Sequence, residues 1–332
     1  VGTSRTGKGI WLWGLGLAVV VIALYAGGWF YAATLVRTNV LRALGQKSSA
    51  GVSAECADMS LGGFPFRIGL GCTKVSIDDH RNGVSASFSN LNASASVYAP
   101  GTIVWTVQSP AEIRTAQGQT ISAEWTRLLS ELQTRGKGIE QGSTVIEGLK
   151  AGIVSSLAGQ RVDLSAARTE IHARQNGADL EATIGIENAN AVIKDFPQPL
   201  PTLSASADMT LTGGAAILAG GETGESLHGT SGILNHIVAD IGDGRTMKLS
   251  GPFSIDDQGL ISGQFKLEID QLGPWRDSLK LAVPAASRTI DFAGKLLKGL
   301  ASGGDSVTVN LTADHGAVSL SGFIPIGRIP PM

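Results

Sequence analysis

The chain has 332 residues, of which 43% are hydrophobic and only 16% charged, with 44 glycines and 5% aromatics; a chain of this length buries a substantial core without a staple, and this balance suits short strands and tight turns better than helical bundles. No Asp or Glu precedes Glu55, whereas Arg5, Lys8, Arg37, Arg42 and Lys47 lie in that stretch. The remainder therefore carries about −7 by count, which excludes the electrostatic footprint of a nucleic-acid binder.

From Ile10 to Val36 no residue is charged, and the run is dense in Leu, Val, Ala and Gly. It meets the length a helix needs to cross a bilayer. Trp11 and Trp13 stand near one end and Trp29 and Tyr31 near the other, roughly 30 Å apart along a helix, as aromatic belts at two interfaces require. A cleaved secretory signal shares the basic start and apolar stretch, but this run is long and no A-x-A site follows it. Residues 1–9 read as a cytoplasmic tail, 10–36 as a transmembrane signal anchor and 37–54 as a polar, partly helical stem. Residues 55–332 read as the body.

The only cysteines, Cys56 and Cys72, follow the stem. Their spacing lacks the further ligands of a zinc site and is not C-x-x-C. A disulfide in an oxidising compartment accounts for them better than two buried thiols, and it places the body outside the cytoplasm. Within the loop they bound lies Gly63-Phe64-Pro65-Phe66-Arg67, whose proline confines it to an edge or turn. The plain account of these aromatics is a hydrophobic plug at the end of a sheet; a binding site is the alternative.

Beyond the stem, alternation of two dominates. Val75 and Ile77, then Val84, Ala86 and Phe88, flank an acidic turn ending in Gly83. Val162 to Ile186 turns at Asn176-Gly177, Phe253 to Ile269 at Asp256-Asp257-Gln258-Gly259, and Val307 to Leu320 at Asp314-His315-Gly316. This recurrence predicts an antiparallel, hairpin-rich sheet, curved or sandwich-like. Two amphipathic helices are expected to cover it. One carries Ile121, Trp125, Leu128, Leu129 and Leu132; the other carries Ile290, Ala293, Leu296, Leu297 and Leu300. The Pro-rich connector Phe196 to Pro201 and the Gly-rich loop Gly213 to Gly224 suggest a subdomain boundary near 196–224.

Catalytic chemistry is sought without result. Gly2 to Gly9 is one residue from a P-loop, but Gly9 stands where Ser or Thr should bind magnesium and no strand precedes it. His80, His172, His228, His236 and His315 lack metal-ligand spacing. Asp78-Asp79 and Asp256-Asp257 are explained by turn chemistry. There is no G-x-S-x-G or H-E-x-x-H. The sequence thus points to no enzyme, no cofactor and no metal.

The anchor, Cys56, Gly63-Phe64-Pro65-Phe66-Arg67, Cys72, Tyr98-Ala99-Pro100 and the closing Gly322-Phe323-Ile324-Pro325-Ile326 resemble an uncharacterised proteobacterial family, domain of unknown function 2125. The resemblance implies an inner-membrane anchored, periplasmic protein of Gram-negative bacteria and no established activity. At fold level the chain is also similar to AsmA-like envelope proteins, whose curved sheets form an apolar groove for lipid. On this basis an acyl-chain groove lined in part by Phe253, Ile255, Phe265, Leu267 and Ile269 is one functional expectation. The other is a structural protein that docks envelope partners on strand edges.

Overall fold

The computed structural model describes residues 7–49, 51–80, 82–136, 138–155, 161–193, 200–218, 227–300 and 304–331. The chain opens with one helix, α1 (Gly7–Ser49). Nothing in that stretch breaks it: proline is absent and Leu and Ala are frequent. The helix continues into the expected stem as far as Ser49, the last stem residues, 52–54, already belonging to the first strand, and within the helix Leu15–Arg42 is long and apolar enough to cross a bilayer.

Strands follow in sequence: β1 (Val52–Ala57), β2 (Ser60–Gly62), β3 (Arg67–Asp79), β4 (Val84–Ser96), β5 (Ala99–Arg114), β6 (Gln119–Glu124), β7 (Arg127–Arg135), β8 (Gly138–Ser155), β9 (Arg161–Asn176) and β10 (Asp179–Ile193). Then come β11 (Leu203–Thr212), the single turn α2 (Ala215–Leu218), β12 (Ser231–Asp240), β13 (Thr246–Ile255) and β14 (Ile261–Ile269). Two helices, α3 (Leu272–Ala282) and α4 (Ser287–Leu300), precede β15 (Val307–Asp314), β16 (Ala317–Leu320) and β17 (Ile324–Arg328).

All pairings are antiparallel and nearly all join neighbours in sequence, so the body is one meandering sheet. At about 4.8 Å a step its ladder from β3 to β17 measures roughly 60 Å. The four hairpins expected from Asp-Gly and Asn-Gly turns all form: Asp79 pairs with Val84, Asn176 with Asp179, Ile255 with Ile261 and Asp314 with Ala317. The connector and loop near 196–224 lie largely outside the described residues. On either side of them β10 pairs with β11 and β11 with β12, so the ladder continues across both.

One expected helix is corrected. Ile121 to Leu132 forms β6 and β7 instead, both laid on the long β8, with Ile121 opposite Ile153 and Leu128 opposite Ile146. The apolar stripe also contains two short alternating runs, Ile121/Ala123 and Leu128/Ser130/Leu132. The Trp125 indole breaks the segment between them by donating to the Val107 carbonyl at 2.8 Å. The other helix forms where expected, as α4, and with α3 it caps one end of the sheet. There Leu272, Trp275, Leu296 and Leu297 pack on Ile269, Val307, Val309 and Leu320.

Burial is sparse elsewhere. The chain exposes 20651 Å², against about 12,900 Å² expected of a compact monomer of 34.2 kDa. Among the described residues no large side chain is completely buried. A long helix whose apolar span is mostly uncovered and a sheet with few buried side chains account for this excess.

Candidate functional site

Residues directly opposite on neighbouring strands share a face, so the register traces what each face presents. One row runs Leu70, Ala93, Trp105, Ser130, Thr144, Ile171, Ile184, Ala207, Ile237, Leu249, Leu267 and Val309, from β3 to β15. A second runs Ile77, Ala86, Ile113, Ile121, Ile153, Val162 and Ile193. The two polar members of the first row, Ser130 and Thr144, satisfy each other at 2.9 Å, and Ser130 also donates to the Ser143 carbonyl at 3.0 Å. The adjacent register is polar apart from Val104: Ser94, Val104, Glu131, Ser143, His172, Thr183, Asp208 and His236. Beside this row on β9 and β10, charges pair, as where Arg174 meets Glu181 at 2.6 Å and Arg168 meets Glu170.

Between the two apolar rows the ladder is irregular, with a register shift between Ile186 and Ala189 in β10, beside Asn188, and Gly148 in the corresponding stretch of β8. Gly148 and Asn188 are left-handed there, with φ 64° and 51°, and pairing is irregular between Phe88 and Leu91. A one-residue irregularity of this kind turns the side chains that follow it, which keeps apolar positions on one side of a strand.

The helices do not cover this face evenly. The caps α3 and α4 close only its C-terminal end, where the core they share draws in Leu203 of β11, Ala239 of β12, Met247 of β13 and Ile324 of β17 but no residue of β3–β10. In the middle Trp105, Ile171, Ile184 and Ile237 remain 37% to 43% exposed. Of the residues singled out in the sequence, Ile255 and Ile269 are buried, Ile269 within the capped core, and Leu267 packs against that core. Phe253 and Phe265 are half-buried, their rings close to Gly232 and Gly263, where a Cβ would lie 3.0 Å and 2.9 Å from ring carbons. The structure thus gathers the five on β13 and β14, at and beside the closed end. The open middle went unnoticed because each of its strands contributes only one or two apolar positions, and their alignment depends on register.

The aromatic motif has a different place from the expected plug. Cys56 and Cys72 are joined in a disulfide, Cα–Cα 5.3 Å, and the loop they close presents Phe64-Pro65-Phe66 to α1. Tyr25 donates to the Pro65 carbonyl at 2.6 Å, and the Trp29 indole donates to the Arg67 carbonyl at 2.9 Å. Phe64 meets Trp29 edge-on at 5.4 Å and stacks on Phe30 at 6.0 Å. Gly63 is needed for the turn: at φ 98° its absent Cβ would lie 2.7 Å from the Arg67 carbonyl oxygen.

A family model described as "Uncharacterized protein conserved in bacteria (DUF2125)" matches residues 29–330. The chain belongs to that family. The DUF2125 match begins at Trp29, so the family unit takes in Trp29 and Phe30, which pack on the motif, together with the whole sheet, while Tyr25 precedes it. No curated protein and no solved structure matches the chain.

The acidic turns are structural in this DUF2125 chain. Asp256 accepts the backbone N–H groups of Gln258 and Leu260, each at 2.9 Å, and its other oxygen meets the His315 ring at 2.9 Å. The Leu260 N–H, then His315, hold its carboxyl below the usual carboxylate range. Asp79 caps its own turn through Asn82. Among the described residues no group of His, Cys, Asp and Glu is placed to hold a metal ion.

Proposed function

We propose that the apolar face of the sheet is a groove for acyl chains, carried on a protein anchored by α1 in the inner membrane with its body in the periplasm. The observation that carries this reading is the apolar row from Leu70 to Val309, interrupted only by the mutually hydrogen-bonded Ser130 and Thr144 and left uncovered through Ile171, Ile184 and Ile237. A sheet open to water has no reason to keep such a row unless something apolar covers it. Phe253, Ile255, Phe265, Leu267 and Ile269 then form the closed end of the groove rather than its open wall. The Cys56–Cys72 disulfide supports an oxidising compartment, and a large domain following an anchor translocates largely regardless of its charges.

Photo-crosslinking tests the groove. A benzophenone amino acid at Ile184, in cells of the native host, should yield phospholipid adducts, and the same probe at Thr183, one residue away on the polar row, should not. Equal labelling, or protein adducts alone at Ile184, would remove the lipid reading in favour of partner docking. An alkaline phosphatase fusion at Ser60 tests the topology and should be active.

A further inference from the structure

We infer that the sheet edge made by the β2–β3 and β4–β5 turns is a membrane-entering foot, in which Phe64, Phe66 and Tyr98 lie in the interfacial layer of the leaflet that faces the body, with lipid as their partner. The inference rests on α1 spanning the bilayer and not on the sheet holding lipid.

The depth of the foot is set by the helix. Aromatic residues at both ends of the apolar run mark its two interfaces, and Trp29 belongs to the belt nearer the body. Trp29 is 7% exposed because Arg67 and Phe64 cover it. The hydrogen bond from Tyr25 places Pro65 about one helical turn deeper still, roughly 6 Å toward the bilayer centre. A rigid helix holding the motif through two hydrogen bonds and two ring contacts leaves the turn little freedom to rise into water.

The side chains agree with that position. Phe66 stacks on Tyr98 at 6.4 Å, and the Val97 N–H donates to the Phe66 carbonyl at 3.0 Å, so the two hairpin tips are fixed side by side. The Tyr98 side chain also hydrogen-bonds with Tyr25 on α1, which ties this second tip to the anchor. Phe66 is 60% and Tyr98 74% exposed, which in water would leave a pair of large rings unburied at the tip of a turn. In the interface the same rings gain burial. Charge agrees too: no Asp or Glu occurs from Met59 to Ile77 or from His80 to Ala111, and the one cation of the motif, Arg67, stands beside the rings. Anionic headgroups favour that combination.

The test uses the full chain reconstituted in vesicles of phosphatidylethanolamine and phosphatidylglycerol, with the benzophenone amino acid replacing Phe66 or, in a second protein, Tyr98. Both positions are exposed, so folding does not depend on them. After irradiation, mass spectrometry should find phospholipid adducts at 66 and at 98 and none with the probe at Thr183. Absence of lipid adducts at both positions in membrane-inserted protein, or adducts equally abundant at 183, would overturn the foot. A chain labelled at 66 and 98 but not at 184 keeps the foot and loses the groove, and the reverse pattern loses the foot alone.

Discussion

The Tyr25 hydroxyl, within the apolar part of α1, donates to the carbonyl of Pro65 at the tip of the first hairpin turn, across forty residues of sequence. One turn further along the helix, Trp29 repeats the contact on Arg67. The body is therefore fastened to its anchor and not merely tethered by it.

Breaking that fastening should free the turn without unfolding the sheet. Trp29→Ala removes a buried ring and a hydrogen bond, a change worth about 3–5 kcal/mol at a packed site, whereas Tyr25→Phe removes about 1 kcal/mol. Amide exchange over residues 63–67 should rise strongly in the first variant and slightly in the second, with exchange in β8–β10 unchanged. Gly63→Ala should act like Trp29→Ala, since its Cβ would strike the Arg67 carbonyl.

The disulfide contributes to the body's stability through the loop it closes. For a loop of this size the expected contribution is about 3 kcal/mol, so Cys56→Ala/Cys72→Ala should lower the denaturation midpoint by that equivalent. Thiol labelling of the unfolded wild type should detect no free thiol before reduction and two after it.

Acid should loosen the helical cap. Asp291 accepts from Lys280 at 2.9 Å, tying α4 to α3, and that contact holds its carboxyl below the ordinary range. A carboxylate lowered in the folded state contributes stability above its unfolded pKa and loses it as pH falls through the folded value. The difference in melting temperature between wild type and Asp291→Asn should therefore be full at pH 7 and shrink as pH is taken below about 4. A difference that persists unchanged at low pH would mean the asparagine acts by packing alone.

The two ends of the apolar face should respond differently to the same substitution. Ile269→Asp places a carboxylate in the capped core and should cost about 4 kcal/mol or more, enough to unfold the body. Ile184→Asp, on the open stretch, should move the melting temperature little and abolish lipid adducts nearby. Thermal melts and the crosslinking assay check the pair.

The sequence by itself determined the elements whose signals are local. An uncharged run of helix formers needs no partner to be recognised, and turns such as Asn176-Gly177 and Asp256-Asp257-Gln258-Gly259 mark hairpins because only a few residue types accept their backbone angles. Tertiary structure decided the rest. Ile121 to Leu132 has a helical stripe, yet β5 and β8 offer it a ladder on both sides, and pairing with distant strands overrides a weak local preference. Ile269 and Ile184 sit in equally alternating strands, and nothing nearby in sequence separates them. One is core and the other exposed because α3 and α4, arriving after β14, build a core with the C-terminal strands that does not extend to β10. The role of Phe64 was likewise open until Trp29 and Phe30 were placed against it, since an aromatic in a turn acquires its surroundings from whichever segment the fold brings there.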